Sequence, residues 1–91
     1  MSEKNWTVDL FPGALRFLKK TTQKKAGKYL TLFAEWENLS NPLAIGDVRS
    51  LVGRLKGYYR LRIGEDRVIF ELDRPNRKIG VLVIVPRKDA Y

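Results

Sequence analysis

The chain has 91 residues, with 18 Lys and Arg against 10 Asp and Glu, a formal net charge of +8, no histidine and no cysteine. The missing residue types exclude disulfides, thiolate nucleophiles, His-ligated metal sites and the Ser-His-Asp route to hydrolysis, so we expect no metal and no cofactor. A positive surplus of this size favours a polyanionic partner, which could be nucleic acid, an anionic membrane or an acidic protein.

The length predicts one domain over residues 1–91, because two independently stable cores would not fit. So small a domain leaves little room for an enclosed pocket, and we expect any site to be a surface groove. No apolar run approaches the roughly 20 residues that a membrane span needs. The first five residues lack the apolar region of a secretory signal. We therefore expect a cytoplasmic protein without a membrane partner.

Two helices are predicted in the first half of the chain, after a short strand. Residues 5–10 alternate apolar and polar side chains, which is typical of a strand. Pro12 suits the first turn of a following helix. A second helix over residues 22–39 carries apolar side chains at spacings of three and four: Ala26, Tyr29, Leu30, Phe33, Trp36 and Leu39. We expect the helices to form an antiparallel hairpin packed on a sheet. The aromatic residues expected in the core are Trp6, Phe33, Trp36 and Phe70.

The second half of the chain is predicted to be a loop followed by strands. Residues 40–47 contain turn signals, and residues 48–56 leave two alternatives open, a short strand or an irregular approach to the sheet. A period of two predicts strands over residues 58–63 and 67–72. Residues 79–85 are apolar on both faces, as a central strand would be. The order predicts an α+β fold, β-α-α-β-β-β, with an antiparallel sheet and the helical hairpin packed on one face.

An arginine cluster is predicted on the first hairpin of this sheet. Gly64-Glu65 has the form of a two-residue type II′ loop, which places Arg62 directly opposite Arg67 and Arg60 on the diagonal. Like charges that face each other across strands are destabilising, and an anion between them would relieve the repulsion. The guanidinium group also matches phosphate bidentately. This predicts a phosphate-binding face. The alternative is a set of solvated arginines relieved by Glu65 of the turn or by Glu71.

Three further features could extend or surround this cluster. Tyr58 shares a face with Arg60, where it could stack on a base or cover the sheet edge. The C-terminal tail could bring Arg87 and Tyr91 to the cluster, although such tails are more often inert. A second basic region surrounds the helices, where a solvated surface is the favoured interpretation: Lys19, Lys20, Lys24, Lys25 and Lys28.

Residues 55–72, LKGYYRLRIGEDRVIFEL, resemble the hairpin of the RelE/ParE toxin superfamily. Families of this type carry the pattern G-x-Y-R-x-R-x-G-x-Y-R-V-I-Y/F, and then a hydrophobic strand that ends near R-R-D-x-Y. Here that ending reads Arg87-Lys88-Asp89-Ala90-Tyr91. The resemblance covers the last third of the chain by motif and the remainder by element order, and it implies a RelE-like fold.

The resemblance implies a RelE-type toxin of a type II toxin–antitoxin pair, held inactive by a cognate small antitoxin. Such toxins enter the ribosomal A site, beside rRNA, and cut mRNA by attack of a ribose 2′-OH on the adjacent phosphate. Cationic groups can stabilise the charge of that reaction without histidine or metal. The catalytic residues so implied are Arg60, Arg62, Arg67, Arg87 and Tyr91. We add as RNA contacts Lys56, Tyr58 and Lys88.

Two departures from the family pattern affect the mechanism. The resemblance implies lysines where this chain has Arg60 and Arg62, and arginine does not deprotonate usefully in proteins. The base would then be Lys56, Tyr91 or a ribosomal group, or the proton would leave late to solvent. Asp66 also stands where the pattern often has tyrosine, and we expect it to place an acid beside the cluster.

Two other functions are also compatible with the sequence. A ParE-type toxin shares the fold but poisons DNA gyrase by binding, and such toxins generally lack the catalytic cluster. A non-catalytic basic RNA-binding module would show salt-sensitive affinity for any RNA. The arginine cluster and Tyr91 favour the ribonuclease.

Overall fold

A computed structural model describes residues 4–86 of the chain. The strands are β1 (Thr7–Leu10), β2 (Asp47–Ser50), β3 (Tyr59–Ile63), β4 (Asp66–Asp73) and β5 (Lys78–Pro86), and the helices are α1 (Pro12–Lys20) and α2 (Gln23–Asn38). Short 3-10 turns lie at Pro42–Ala44 and Gly53–Leu55. The five strands form one sheet in the order β1-β5-β4-β3-β2. The predicted α+β class and its helical pair are confirmed.

The sheet differs from the predicted one in two respects. A fifth strand, β2, begins at Asp47, the last residue of the predicted loop, and continues into the undecided stretch 48–56. It pairs with β3 at one edge of the sheet. Strand β1 pairs with β5 in parallel, so the sheet is mixed rather than wholly antiparallel. No tight turn joins β1 to a neighbouring strand, and its direction therefore follows from how the helices return the chain to the sheet. A period of two carries no information on that direction.

Local sequence explains where α1 and α2 begin. Pro12 occupies the first turn of α1, where a missing N–H removes no helical bond. Gly13 then lies against the edge of β5, because a Cβ there would meet Val83 Cγ1 at 2.6 Å and the Leu82 carbonyl oxygen at 2.9 Å. Thr22 caps α2 by accepting a hydrogen bond from the Lys25 N–H at 3.2 Å.

The core lies between the helices and one face of the sheet. Trp36 packs edge-to-face on Phe70 with ring centroids 4.6 Å apart, and its indole N–H donates to the Pro42 carbonyl at 2.9 Å. The sheet contributes Leu61, Val68, Phe70, Ile79, Val81 and Ile84. The four aromatic residues predicted for the core are all buried there. Along residues 4–86, no helix is long and apolar enough to cross a membrane.

Candidate anion-binding groove

The β3–β4 hairpin has the register that the turn predicts. Arg62 lies opposite Arg67 and Arg60 lies opposite Ile69. Gly64 takes φ 56°, as the first residue of a type II′ turn does. Because alternate residues of a strand point to opposite faces, the arginines lie on the face away from the helices.

Strand β2 completes this face as a groove. It places Asp47 opposite Arg62 and Arg49 opposite Arg60. The groove has a volume of about 380 Å³ and is lined by Asp47, Arg49, Ser50, Leu51, Arg60, Arg62 and Arg67. Four arginines and one aspartate therefore surround a single open space, which we call the arginine groove.

Arg67 is the most constrained cation in the groove. Its Nη1 is buried and has no hydrogen-bond partner among residues 4–86. The ion pairs within the same residues involve neither Arg67 nor Arg62, so Glu65 and Glu71 do not relieve these charges there. Leaving a buried charged donor without an acceptor is unfavourable by roughly 1–3 kcal/mol or more. An anion in the groove would supply that acceptor once the Arg67 side chain turns its Nη1 toward the open space.

Among residues 4–86, Asp47 is the one carboxylate that lines the groove. Its Oδ1 lies 3.4 Å from Arg60 Nη2, and Arg49 Nε is 3.9 Å from the same oxygen. The side chain of Arg60 is 13% exposed and that of Asp47 is 48% exposed, so the carboxylate remains open to the groove. Sequence reasoning missed Asp47 and Arg49. Their alternation with Val48 would have placed both on the arginine face, had residues 47–50 been assigned as a strand.

Lys56 and Tyr58 lie beside the arginine groove rather than in it. They line a neighbouring hollow of about 470 Å³, which shares Ser50 and Leu51 with the groove. A single-stranded nucleic acid bound in the groove could continue into this hollow. The predicted residues Arg87, Lys88 and Tyr91 lie outside the described residues.

Asp66 is not beside the cluster, and that expectation was wrong. It lies opposite Ile63, on the core face, where it is 3% exposed. Tyr29 Oη donates to Asp66 Oδ2 at 2.9 Å, and Lys25 Nζ lies 2.9 Å from the same oxygen. Burial, and then the bond to Asp66, raise the pKa of Tyr29 far above its usual range. The alternation of β4 already placed Asp66 with Val68, on the face opposite to Arg67.

The second basic region also lies away from the groove. It is carried by α1 and α2, which pack on the opposite face of the sheet. Its exposed members are Lys19, Lys20, Lys24 and Lys28. Lys25 is the exception, because it pairs with the buried Asp66.

Comparison with known proteins identifies the fold. No protein-family model matches the chain, and no curated protein matches it. Among solved structures, a chain of the archaeal RelE–RelB complex from Pyrococcus horikoshii OT3 is similar at 25% identity and a TM-score of 0.76, over 94% of this chain and 99% of that chain. A chain of the toxin–antitoxin complex RelBE2 from Mycobacterium tuberculosis is similar at 18% identity and a TM-score of 0.75, over 90% and 98%.

A third similar structure comes from a protein named for two kinds of toxin. The YoeB/ParE toxin from Agrobacterium tumefaciens shares 18% identity at a TM-score of 0.69, over 88% of this chain and 96% of that one. The chain thus has the RelE-like fold, and its resemblance to the RelE/ParE superfamily is confirmed at the level of the fold.

Proposed function

We propose that this chain, which has the RelE-like fold, is the toxin of a type II toxin–antitoxin pair and cuts mRNA in the ribosomal A site. The observation that carries the proposal is the facing pair Arg62 and Arg67 in a groove lined by two further arginines. This arrangement does not stabilise the free protein, whereas a bound phosphodiester would neutralise the facing charges.

The proposed reaction takes place between two neighbouring nucleotides of an RNA bound in the groove. The ribose 2′-OH loses its proton and attacks the adjacent phosphorus, and the bond to the next 5′ oxygen breaks. The leaving oxygen takes a proton from water, which gives a 2′,3′-cyclic phosphate and a 5′-OH. Negative charge accumulates on the phosphoryl oxygens in the transition state, and fixed cations there supply most of the stabilisation. Arg67 and Arg62, on facing strands, would hold these oxygens, with Arg60 beside them.

We assign Asp47 as the general base that accepts the proton of the 2′-OH. It is the one carboxylate that the described part of the chain brings to the groove, it is partly exposed, and Arg60 holds it at 3.4 Å. A carboxylate within hydrogen-bond reach of the hydroxyl can act as general base. Lys56, another candidate for this role, lines the neighbouring hollow instead. From the family resemblance we retain Arg87 and Tyr91 as tail groups that complete the site, with Lys56, Tyr58 and Lys88 as RNA contacts.

The proposed antitoxin partner follows from the similar structures, and the ribosome and mRNA follow from the proposed activity. The structure from Mycobacterium tuberculosis is a toxin–antitoxin complex, and that from Pyrococcus horikoshii is a RelE–RelB complex. We therefore propose a cognate small antitoxin for this chain, and the ribosome with its mRNA as the target in the cytoplasm.

The decisive experiment uses purified ribosomes with a tRNA-loaded P site and a short mRNA. The wild-type chain should cut the message in the A site, and Arg67→Met should lose roughly 100- to 1,000-fold in rate, the range found when one oxyanion donor is removed. Arg74→Met is the matched control, because Arg74 lies in the exposed turn between β4 and β5. Full activity of Arg67→Met would show that the groove is not the site.

A second candidate is suggested by the similarity to a protein named as a YoeB/ParE toxin. A ParE-type toxin would poison DNA gyrase by binding, without cutting RNA. Uncut message on arrested ribosomes, or gyrase-dependent DNA breaks in cells that express the chain, would replace the ribonuclease proposal. A simple RNA-binding module would bind RNA with neither cleavage nor growth arrest.

A further inference from the structure

Asp66 is the one buried charged side chain among residues 4–86. It is the first residue of β4, at the hairpin end that carries the facing arginines. Two groups of α2 bind the same carboxylate oxygen, the hydroxyl of Tyr29 at 2.9 Å and the ammonium of Lys25 at 2.9 Å. The tyrosine hydroxyl stays protonated, since burial raises its pKa, and it remains a donor.

Only one member of this ion pair is buried, because the side chain of Asp66 is 4% exposed and that of Lys25 is 44% exposed. A buried ion pair is weak evidence for stability, because desolvation offsets its attraction and apolar residues of similar volume often do as well. A fully satisfied polar network does, however, select one arrangement of the groups that it joins. Here the network would hold two parts of the molecule in one relative position.

The two parts that it joins are α2 and the end of the β3–β4 hairpin. A cleft of about 440 Å³ lies between them, lined by Tyr29, Leu32 and Ile63 among others, so apolar packing is incomplete there. The bonds from Tyr29 and Lys25 to Asp66 bridge this cleft. Arg67, the next residue, points into the arginine groove on the other face.

We propose that Lys25, Tyr29 and Asp66 are positioning residues, which hold the hairpin end on α2 and so keep Arg67 aligned with Arg62 in the groove. The inference rests on the proposed ribonuclease function, since it assigns these residues a role in that reaction. They act from the core side and do not contact the RNA. The network also explains how the chain uses an aspartate at a position where the superfamily pattern often has tyrosine.

The test compares single variants of the full chain in the ribosome cleavage assay, with kcat and KM measured separately. Tyr29→Phe and Lys25→Gln should lower kcat by roughly 10- to 100-fold, because a misplacement of about 1 Å at a reacting group can reach that size. KM should stay close to the wild-type value, since no RNA contact is removed. Lys25→Arg retains the ion pair and should restore most of the rate.

Neighbouring residues supply matched controls for charge. Lys24→Gln removes a positive charge from an exposed position next to Lys25, and Glu65→Gln removes a negative charge next to Asp66 in the exposed turn. Both variants should cleave at nearly the wild-type rate. Equal losses in Lys24→Gln and Lys25→Gln would overturn the inference, because general electrostatics would then explain both.

A variant that unfolds must be distinguished from one in which only Arg67 is misplaced. Asp66→Asn tests the carboxylate directly, and its thermal unfolding must be followed. If it unfolds, Tyr29→Phe decides, because it removes one oxygen and retains the ring contacts with Phe17 and Phe33 at 5.7 and 6.0 Å. Wild-type kcat in folded Tyr29→Phe and Lys25→Gln would overturn the inference and leave the ribonuclease proposal intact.

A direct readout separates this inference from the proposed function. The NMR signal of the Arg67 Nε–H, assigned by its loss in Arg67→Lys, should be single and sharp in the wild-type protein. It should shift and broaden in Tyr29→Phe, whatever the activity of the chain. An unchanged signal would overturn the positioning role, whereas a wild-type chain that cuts no RNA would overturn the proposed function.

Discussion

At the residue scale, Arg67 lowers the stability of the folded protein, although the proposed function requires it. Its charge faces Arg62 across the strands, and its buried Nη1 has no partner among residues 4–86. The Arg67→Met variant that should lose cleavage should therefore unfold with a free energy about 1 kcal/mol higher than the wild type, because repulsion and an unmade hydrogen bond are both removed. Urea unfolding measures this, and a large loss of stability would instead give Arg67 a structural role.

Asp47 provides the second prediction at this scale. Asp47→Asn should slow single-turnover cleavage by roughly 100- to 10,000-fold, the range of general acid–base contributions. The variant should nevertheless bind RNA more tightly, because a negative charge leaves the groove and Arg60 is released from its 3.4 Å contact. Asp9→Asn, at an exposed position on β1, is the control for charge alone. An unchanged cleavage rate would remove Asp47 from the mechanism.

Tyr29 links the core network to alkaline stability. Its raised pKa means that the folded protein keeps a proton that the unfolded chain releases above its ordinary pKa of about 10. The contribution to stability is complete below about pH 10 and declines as the pH rises further, by up to about 1.4 kcal/mol per pH unit. Tyr29→Phe should lack this part of the decline. Urea unfolding from pH 8 to 11 compares the two proteins, and parallel curves would contradict the prediction.

At the element scale, the two helices contain glycines with opposite requirements. Gly13 of α1 lies against the β5 edge, where a Cβ would approach Val83 and Leu82 within 3 Å. Gly27 of α2 has open space around its Cβ position. Gly13→Ala should therefore lower the free energy of unfolding by roughly 1–3 kcal/mol, through forced displacement. Gly27→Ala should raise it by about 1 kcal/mol, through helix propensity.

The two Gly→Ala variants thus serve as controls for each other in thermal or urea unfolding. Stabilisation by both changes would show that α1 can move away from β5 at little cost. Destabilisation by both would show that the exposed surface of α2 at Gly27 is less open than the structure indicates.

At the scale of the whole molecule, the positive charge is divided between two faces of the sheet. The arginine groove occupies one face, and the lysines of the helices lie over the other. Single-stranded RNA should bind with a steep salt dependence, in which each phosphate that the protein neutralises adds about 0.7 to the slope of log K against log salt. Arg67→Met should reduce the slope by about that amount, and Arg74→Met should leave it unchanged. Equal slopes for the two variants would place RNA elsewhere on the surface.

Local patterns in the sequence determined much of this protein. The Gly64-Glu65 turn and the period of two set the register of Arg62 against Arg67, because a two-residue loop leaves one pairing that buries the apolar face. The helix spacing and the aromatic residues likewise indicated most of the core, although Leu30, at a predicted apolar position of α2, is 58% exposed. These features depend on neighbours along the chain, which a sequence displays directly.

Only the tertiary structure decided which of those elements contact one another. It placed β2 beside β3, which brought Asp47 and Arg49 into the arginine groove, and it set β1 parallel to β5. It also joined Asp66 to Tyr29, 37 residues away in the chain. Such contacts depend on how the helices return the chain to the sheet and on which edge each strand occupies. Periodicity shows which face of a strand is buried, but it does not show which strand becomes its neighbour.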